Sequence, residues 1–294
     1  MAFRGTYSIT NTIVDLSAVP QAYVPYTGDT DEDVVKGIPR CLNCTVHAGF
    51  MDSWRNARPT VLGHVSAMRQ EYPDYVVVLV GHSLGGAVAA LAGAEMRLRG
   101  WEPQVTTFGE PRVGNQAFVK FVDRLFGLTE PQWRSLPVEN RTRLEFRRVT
   151  HVNDPVPLLP LEEWGYKMHA GEIFISKPDL SPSISDIRLC HGDQDASCIA
   201  GADDESLSLM LNELGGDHHP VWADHYMRQA ILSSKGKTRS VLDNTQQPEI
   251  HQQWNLLPSR YRLWELFLAH RDYFSRIGLC VPGGDPTGQA GGIV

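Results

Sequence analysis

The stretch VVVLVGHSLGGAVAALAG, residues 76–93, decides the fold class of this chain. It begins with a short, continuous run of β-branched residues, which predicts a buried parallel strand over residues 75–81. Apolar residues then recur at helical spacing, which predicts a helix over residues 84–98. Between the two, Gly-His-Ser-Leu-Gly (residues 81–85) has the Gly-x-Ser-x-Gly pattern that holds a serine at a sharp strand-to-helix turn, the nucleophile elbow. The pattern makes Ser83 a candidate nucleophile.

Further strands and helices alternate along the chain. The stretches QVTTFG, LEFRRVTHV and EIFIS predict strands over residues 104–109, 144–152 and 172–176. A helix with one apolar face follows Asn115, a residue type that caps helices, and Gly127 can end it. Strands that alternate with helices are typical of an α/β fold with a parallel sheet covered on both faces.

The composition restricts the class of protein. The chain has 294 residues, of which 42% are hydrophobic and 21% are charged, and this length can bury the core of one α/β domain. A formal net charge of −7 and the lack of a basic run argue against nucleic-acid binding. No apolar stretch reaches the roughly 18 residues that a membrane span needs. The first residues also lack the long apolar core of a signal peptide.

We predict one domain over residues 1–280. Within it, residues 181–260 are richer in Ser, Asp, Gly and Gln and have weak periodicity, so we expect a partly irregular insertion there. The glycine-rich residues 281–294 are expected to form a disordered tail.

The cysteines fall into two close pairs and one remainder. Cys41 and Cys44 are three residues apart, Cys190 and Cys198 are eight apart, and Cys280 is left over. A lone C-x-x-C can be a redox or metal site, but this one has no thioredoxin-like strand context and no second C-x-x-C. Two short-range disulfides therefore fit better, and they favour an oxidising compartment.

A serine nucleophile needs a base and an acid that orients the base, and in this fold the chain order is serine, acid, histidine. Asp154 follows the strand predicted over residues 144–152, although Asp-Pro is also a common turn sequence. Among the histidines that come later in the chain, His225 and His270 are the two candidates for the base. The local context favours His270, because an apolar run precedes it. Tyr273 and Phe274 can wall an acyl pocket beside it.

The remaining histidines have simpler interpretations. His82, inside the elbow, is expected to pack and to form hydrogen bonds rather than to act as a base, because adjacent side chains diverge at a turn. His47 is expected to have a structural role. The sequence DHHPVWADH offers His218, His219 and His225 as metal ligands, but no matching ligands stand at zinc spacing. We therefore predict no metal site.

Five stretches together resemble the class 3 fungal lipases, the Rhizomucor and Thermomyces type, and the related feruloyl esterases. They are CLNCTVHAGFMDSW, EYPDYVVVLVGHSLGGAVAALAGAEMR, TFGEPRVGNQAF, VTHVNDPVPLLP and AHRDYFSRIGLC, in family order, with the insertion at 181–260 as the main departure. The resemblance implies an α/β-hydrolase fold with a mostly parallel central sheet flanked by helices. It also implies a carboxylic ester substrate, no cofactor, and His270 as the base.

The opening sequence MAFRGTYSITNTIVDLSAV resembles the oxyanion strand and lid of that family. The resemblance implies that Thr6 supplies one oxyanion donor and that the Leu84 N–H supplies the other. It places a lid at about residues 7–25, where Ile9, Ile13 and Leu16 form one apolar stripe on a short helix. The alternative is that this helix packs permanently on the core. The family's signal peptide, its first strands and the disulfide partner of Cys280 would precede this start, so the chain is expected to be an N-terminally truncated form of a secreted protein.

The function predicted from the sequence is that of a serine carboxylic ester hydrolase, a triacylglycerol lipase acting through an acyl-enzyme on Ser83. Its substrate would be an ester or lipid met at a lipid–water interface. Two alternatives stay open at this point. One is a feruloyl or other cell-wall esterase, and the other is an inactive fragment that keeps the elbow.

Overall fold

The computed structural model describes residues 1–5, 19–24, 41–128, 144–192, 194–202 and 268–278. Within these residues the chain forms ten strands: β1 (Ala2–Phe3), β2 (Pro20–Ala22), β3 (Thr45–His47), β4 (Val78–His82), β5 (Gln104–Phe108), β6 (Gly114–Asn115), β7 (Phe146–His151), β8 (Tyr166–Lys167), β9 (Glu172–Ile175) and β10 (Ile187–Leu189). The α-helices of the same residues are α1 (Ala48–Glu71), α2 (Leu84–Leu98) and α3 (Gln116–Leu125).

The central sheet has six strands in the order β1-β4-β5-β7-β9-β10. Neighbouring strands from β1 to β9 are parallel, and β10 pairs antiparallel with β9. The predicted, mostly parallel α/β sheet is therefore confirmed, and the predicted helix over 84–98 has the predicted bounds. All four predicted strands are present, and each is shorter than predicted. Strand β4 begins three residues later and ends one residue later than predicted, β5 and β9 each end one residue earlier, and β7 is shorter at both ends.

Strand β4 was predicted to be buried on both faces, but one of its faces is partly exposed. Leu79 is fully buried, whereas Val78 is 44% exposed and Val80 is 37% exposed. Successive side chains of a strand point to opposite faces. The core covered by the helices therefore lies on the Leu79 side of β4.

Helix α2 packs closely on the sheet because its first turns carry small residues. A Cβ atom added at Gly85 would lie 2.2 Å from the backbone oxygen of Phe3, and one at Gly81 would lie 2.2 Å from the oxygen of Gly85. The glycines of the Gly-x-Ser-x-Gly pattern thus allow β1, β4 and α2 to approach one another.

Two features were not predicted. Helix α1 spans 24 residues, contains Pro59 and buries Phe50 and Trp54. A second, antiparallel sheet joins β2, β3, β6 and β8. Its strands have two or three residues each, which is too short for an alternating pattern to show in the sequence.

A buried carboxylate locks α1 to α2. Glu95 of α2 is 3% exposed. It accepts a hydrogen bond of 2.9 Å from Trp54 Nε1 and bonds of 2.8 and 2.9 Å from Arg58 Nε. These α1 donors offset the cost of burying the charge.

Both predicted disulfides are present, one between Cys41 and Cys44 and one between Cys190 and Cys198. Cys280 and the expected tail, residues 281–294, lie outside the described residues. Among the helices that the structure describes, none has the length and apolar character of a membrane span.

The start of the predicted insertion is more regular than its composition indicates. Residues 187–189 form β10, which extends the central sheet by one strand. Part of the range predicted as a lid, residues 20–22, pairs with β3 as strand β2. The apolar stripe of Ile9, Ile13 and Leu16 lies outside the described residues. The predicted domain boundaries stay a prediction.

Asn115 caps α3 as predicted, and its replacement tests that interpretation. Its Oδ1 accepts from the N–H of Phe118 at 3.0 Å and of Thr45 at 3.2 Å, and its Nδ2 donates to the oxygen of Asn43 at 2.8 Å. We expect Asn115→Ala to lower the free energy of unfolding by about 1–2 kcal/mol, measured by urea denaturation. Asn115→Asp keeps the acceptor and should lose less. Equal losses in the two variants would contradict the capping role.

Candidate active site

Ser83 occupies the junction between β4 and α2 in a strained backbone conformation. Its φ and ψ are 58° and −130°, a region that residues other than glycine rarely adopt. Its N–H donates to the oxygen of Phe108 at 2.9 Å, and its carbonyl accepts from the N–H of Gly86 at 2.8 Å. These bonds fix the sharp turn that the Gly-x-Ser-x-Gly pattern predicts.

Asp154 and His270, which are 116 residues apart in the chain, lie together in the structure. The Nδ1 atom of His270 is 2.9 Å from Oδ1 and 2.8 Å from Oδ2 of the aspartate. Asp154 follows β7, and its carboxylate also accepts from the N–H of Val156 at 2.9 Å and from the Tyr273 hydroxyl. Asp154 is completely buried and His270 is 1% exposed, so bulk water does not compete for these bonds.

The pKa of Asp154 lies below its usual value even though the group is buried. Burial alone would raise the pKa, but the charge of His270 and hydrogen bonds from His270, Tyr273 and Val156 outweigh it. Asp154 is therefore an ionised acceptor at neutral pH. Burial, followed by the Asp154 charge, raises the pKa of Tyr273 well above its usual value, so this hydroxyl stays a donor.

The second ring nitrogen of His270 is available for chemistry. Its Nε2 is buried, and among the described residues it has no hydrogen-bond partner. Because Nδ1 faces the carboxylate, a neutral ring with its hydrogen on Nδ1 leaves Nε2 as an acceptor. A buried nitrogen in this state can take up a proton from a neighbouring hydroxyl.

Gly109, at the end of β5, is a site residue that the sequence analysis did not identify. Its φ is +56°, and an added Cβ would lie 2.6 Å from Tyr273 Oη, 2.7 Å from His270 Cε1 and 2.8 Å from Asp154 Oδ2. Asp154, His270 and Tyr273 thus all lie against the Cα of Gly109, where no side chain separates them. No spacing or composition in TFGEPR indicates such a contact.

Tyr273 has a different position from the one predicted. The sequence placed it in the wall of an acyl pocket with Phe274. In the structure its ring is 2% exposed and packs edge-on against Phe108, at 5.5 Å between centroids, and its hydroxyl binds Asp154. Phe274 is 45% exposed. The short spacing between His270 and Tyr273 is visible in the sequence. The contact of Tyr273 with Asp154 is visible only in the folded chain.

The side chain of His82 contacts His270. Its Nε2 is 2.6 Å from the backbone oxygen of His270, and the two rings are 4.4 Å apart. Burial, followed by the charge of His270, lowers the pKa of His82 to about 3, so the ring is neutral at physiological pH. His47 is 4% exposed and stacks on Phe50.

The predicted oxyanion donors are partly described. Leu84 is the first residue of α2, where backbone N–H groups have no acceptor within the helix. Thr6 lies outside the described residues, but the preceding Gly5 lies against the elbow. A Cβ added at Gly5 would be 2.9 Å from Ser83 Cβ. His218, His219 and His225 also lie outside the described residues.

Comparison with known proteins identifies the family. The profile of the class 3 lipases matches residues 1–164, which is more than half of the chain. The protein therefore belongs to the class 3 lipase family. This finding confirms the resemblance drawn from the five sequence stretches.

Individual relatives are similar over most of this chain. It is 50% identical over 292 residues to the secreted mono- and diacylglycerol lipase 2 of Gibberella zeae, covering 98% of this chain and 64% of the relative. It is 48% identical over 299 residues to lipase A of Sodiomyces alcalophilus, covering 99% and 65%. The chain thus spans just under two thirds of the length of these relatives.

A solved structure supports the fold. The Lip2 lipase of Yarrowia lipolytica superposes with a TM-score of 0.58 and 32% identity, covering 69% of this chain and 66% of that one. Together with the parallel sheet and the elbow, this similarity establishes the α/β-hydrolase fold.

A methyl group at position 109 tests whether activity depends on the close packing of Asp154, His270 and Tyr273 around Gly109. We expect Gly109→Ala to lower kcat/KM for p-nitrophenyl butyrate by about 100-fold or more, because its Cβ displaces Asp154 and His270. Gly165→Ala is a matched control, since Gly165 also has a positive φ, of 88°, and nothing lies within 4 Å of its added Cβ. Equal activity in the two variants would contradict this reading of the site.

Proposed function

We propose that this chain carries the catalytic centre of a secreted lipase, which hydrolyses acylglycerol esters through an acyl-enzyme on Ser83. The observation that best supports the proposal is the buried Asp154–His270 pair, whose imidazole ring lies beside His82 of the elbow and whose Nε2 has no hydrogen-bond partner among the described residues. Two contacts support this proximity. The His82 ring is 4.4 Å from the His270 ring, and Phe108, which binds the Ser83 N–H, precedes Gly109 beneath His270.

In the first half of the reaction, Ser83 Oγ attacks the ester carbonyl carbon while His270 Nε2 takes the hydroxyl proton. Asp154 keeps the hydrogen on Nδ1 and stabilises the imidazolium that forms. The tetrahedral intermediate then collapses, and His270 returns the proton to the departing alcohol. The acyl group stays on Ser83 as an ester.

In the second half, water replaces the alcohol. His270 Nε2 takes a proton from the water as the water oxygen attacks the acyl carbon. His270 then gives this proton to Ser83 Oγ, which leaves as the restored hydroxyl, and the carboxylic acid is released. The negative charge of each tetrahedral intermediate would be stabilised by the N–H of Leu84 and by Thr6. No cofactor or metal takes part in these steps.

The names of the relatives support the choice of substrate and compartment. The Gibberella protein is named for mono- and diacylglycerols and as secreted, so partial acylglycerols are the first substrates to test, beside the triacylglycerols predicted from the sequence. We propose an extracellular location. The disulfides Cys41–Cys44 and Cys190–Cys198 support it, because such bonds persist in oxidising compartments.

Replacement of the proposed catalytic residues tests the mechanism on acylglycerols. We expect Ser83→Ala and His270→Ala each to lower kcat for diolein hydrolysis by on the order of 10³-fold or more. His225→Ala should change kcat less than about fivefold and serves as the comparison histidine. Unfolding midpoints would verify that all variants fold.

The same assay separates the alternatives. Cleavage of monoolein, diolein or triolein well above that of methyl ferulate fits a lipase, and the reverse order would indicate a feruloyl esterase. A folded wild-type chain that cleaves none of them would contradict the proposal and favour the inactive fragment.

We further propose that the substrate is taken from a lipid–water interface, and that the part of the predicted lid (about residues 7–25) that precedes β2 opens on contact with lipid. The apolar stripe Ile9, Ile13 and Leu16 supports this proposal. The rate of tributyrin hydrolysis should rise abruptly as its concentration passes the solubility limit. A smooth hyperbola through that limit would contradict a closed lid.

A further inference from the structure

The side chain of His82 joins the nucleophile elbow to the loop that carries His270. Its Nε2 is 2.6 Å from the His270 backbone oxygen, across 188 residues of sequence. The two rings are tilted by 38° with centroids 4.4 Å apart. The mechanism of ester hydrolysis assigns no role to this residue, although it precedes Ser83 directly.

The direction of this hydrogen bond follows from the chemistry of its partners. A backbone carbonyl can only accept, so His82 Nε2 must carry the hydrogen. Among the described residues, His270, Asp154 and Arg271 act on the ring through their charges, and the Tyr273 ring packs edge-on against it at 6.1 Å between centroids. Burial and the charges of His270 and Arg271 lower the pKa of His82 more than the hydrogen bond to the His270 carbonyl and the charge of Asp154 raise it. His82 is therefore a neutral donor with a fixed tautomer.

The His82 backbone is held rigidly. His82 is the last residue of β4 and pairs with Phe108 of β5. On its other side, a Cβ added at Gly5 would lie 2.8 Å from the His82 oxygen and 3.4 Å from its Nδ1. A donor fixed to the central sheet in this way can set the position of the loop that it binds.

We propose that His82 is a positioning residue, whose Nε2–H holds the His270 backbone and so sets the distance between His270 Nε2 and Ser83 Oγ. This inference rests on the proposed function. Asp154 orients the His270 ring through Nδ1, and His82 sets the distance between the His270 backbone and the elbow. Small errors in such a distance affect kcat strongly, because proton transfer needs close alignment.

Three substitutions separate the hydrogen bond from packing. The amide nitrogen of Gln in His82→Gln reaches about as far from Cβ as Nε2 of histidine does and can donate to the same oxygen. His82→Asn has the same amide group, but it is too short to reach that oxygen. His82→Phe keeps the ring and removes the donor. All three replacements are neutral, as His82 is.

The kinetic constants for p-nitrophenyl butyrate give the first readout. We expect His82→Asn and His82→Phe to lower kcat by about 30-fold with KM changed less than about twofold, since a misplaced base does not weaken ester binding. His82→Gln should restore kcat to within about threefold of wild type. A role in packing alone would give the reverse order, with Phe active and Gln impaired, and would overturn the proposal.

The pH dependence of kcat/KM gives the second readout. Because a neutral His82 carries no charge to remove, the acid limb should shift by less than about 0.3 pH units in His82→Gln. A larger shift would mean that His82 is charged or exchanges protons with His270, which contradicts positioning through a neutral donor.

Ser83→Ala serves as the control that keeps the two proposals apart. If wild type is active and Ser83→Ala is not, the proposed function stands, and unchanged kcat in His82→Asn and His82→Phe would overturn the inference about His82 alone. If Ser83→Ala is as active as wild type, the proposed function itself fails.

Discussion

The buried carboxylate of Asp154 is the feature on which the rest of the site depends. An ionised carboxylate without solvent is costly unless its oxygens accept hydrogen bonds. Here the donors come from His270, Tyr273 and the Val156 N–H. Because two of these donors lie on the segment after residue 267, meeting this requirement brings the end of the described chain to the carboxyl ends of β5 and β7.

Two further constraints follow from that contact. The three groups meet only because residue 109 has no side chain, and any other residue there would overlap them. The strained Ser83 backbone is tied to β5 through the Phe108 carbonyl, directly before that glycine. Phe108 and Gly109, at the end of β5, therefore position both the elbow and the Asp154–His270 pair. His82 then adds a direct bond from the elbow to the His270 backbone.

The sequence predicted what depends on local pattern. Strand β4, helix α2 and the Asn115 cap follow from β-branched runs, helical spacing and a capping residue type. Asp154 and His270 followed from chain order and family resemblance. Gly109, the Asp154 contact of Tyr273 and the His82–His270 bond were not predicted, because each joins residues far apart in the chain. Helix α1 was also not predicted; it contains Pro59, and its apolar residues show no clear helical repeat. The strands of the second sheet are only two or three residues long, so no alternation of apolar and polar residues could show.

The central claim is that Ser83 is a nucleophile activated by the Asp154–His270 pair. The most direct measurement is mass spectrometry of the intact protein and its peptides during reaction with diethyl p-nitrophenyl phosphate. The account predicts one diethylphosphoryl group on Ser83, released together with one p-nitrophenolate. It also predicts that Asp154→Asn slows the modification by about 100-fold or more. Modification of a different residue, or an unchanged rate in Asp154→Asn, would contradict the account.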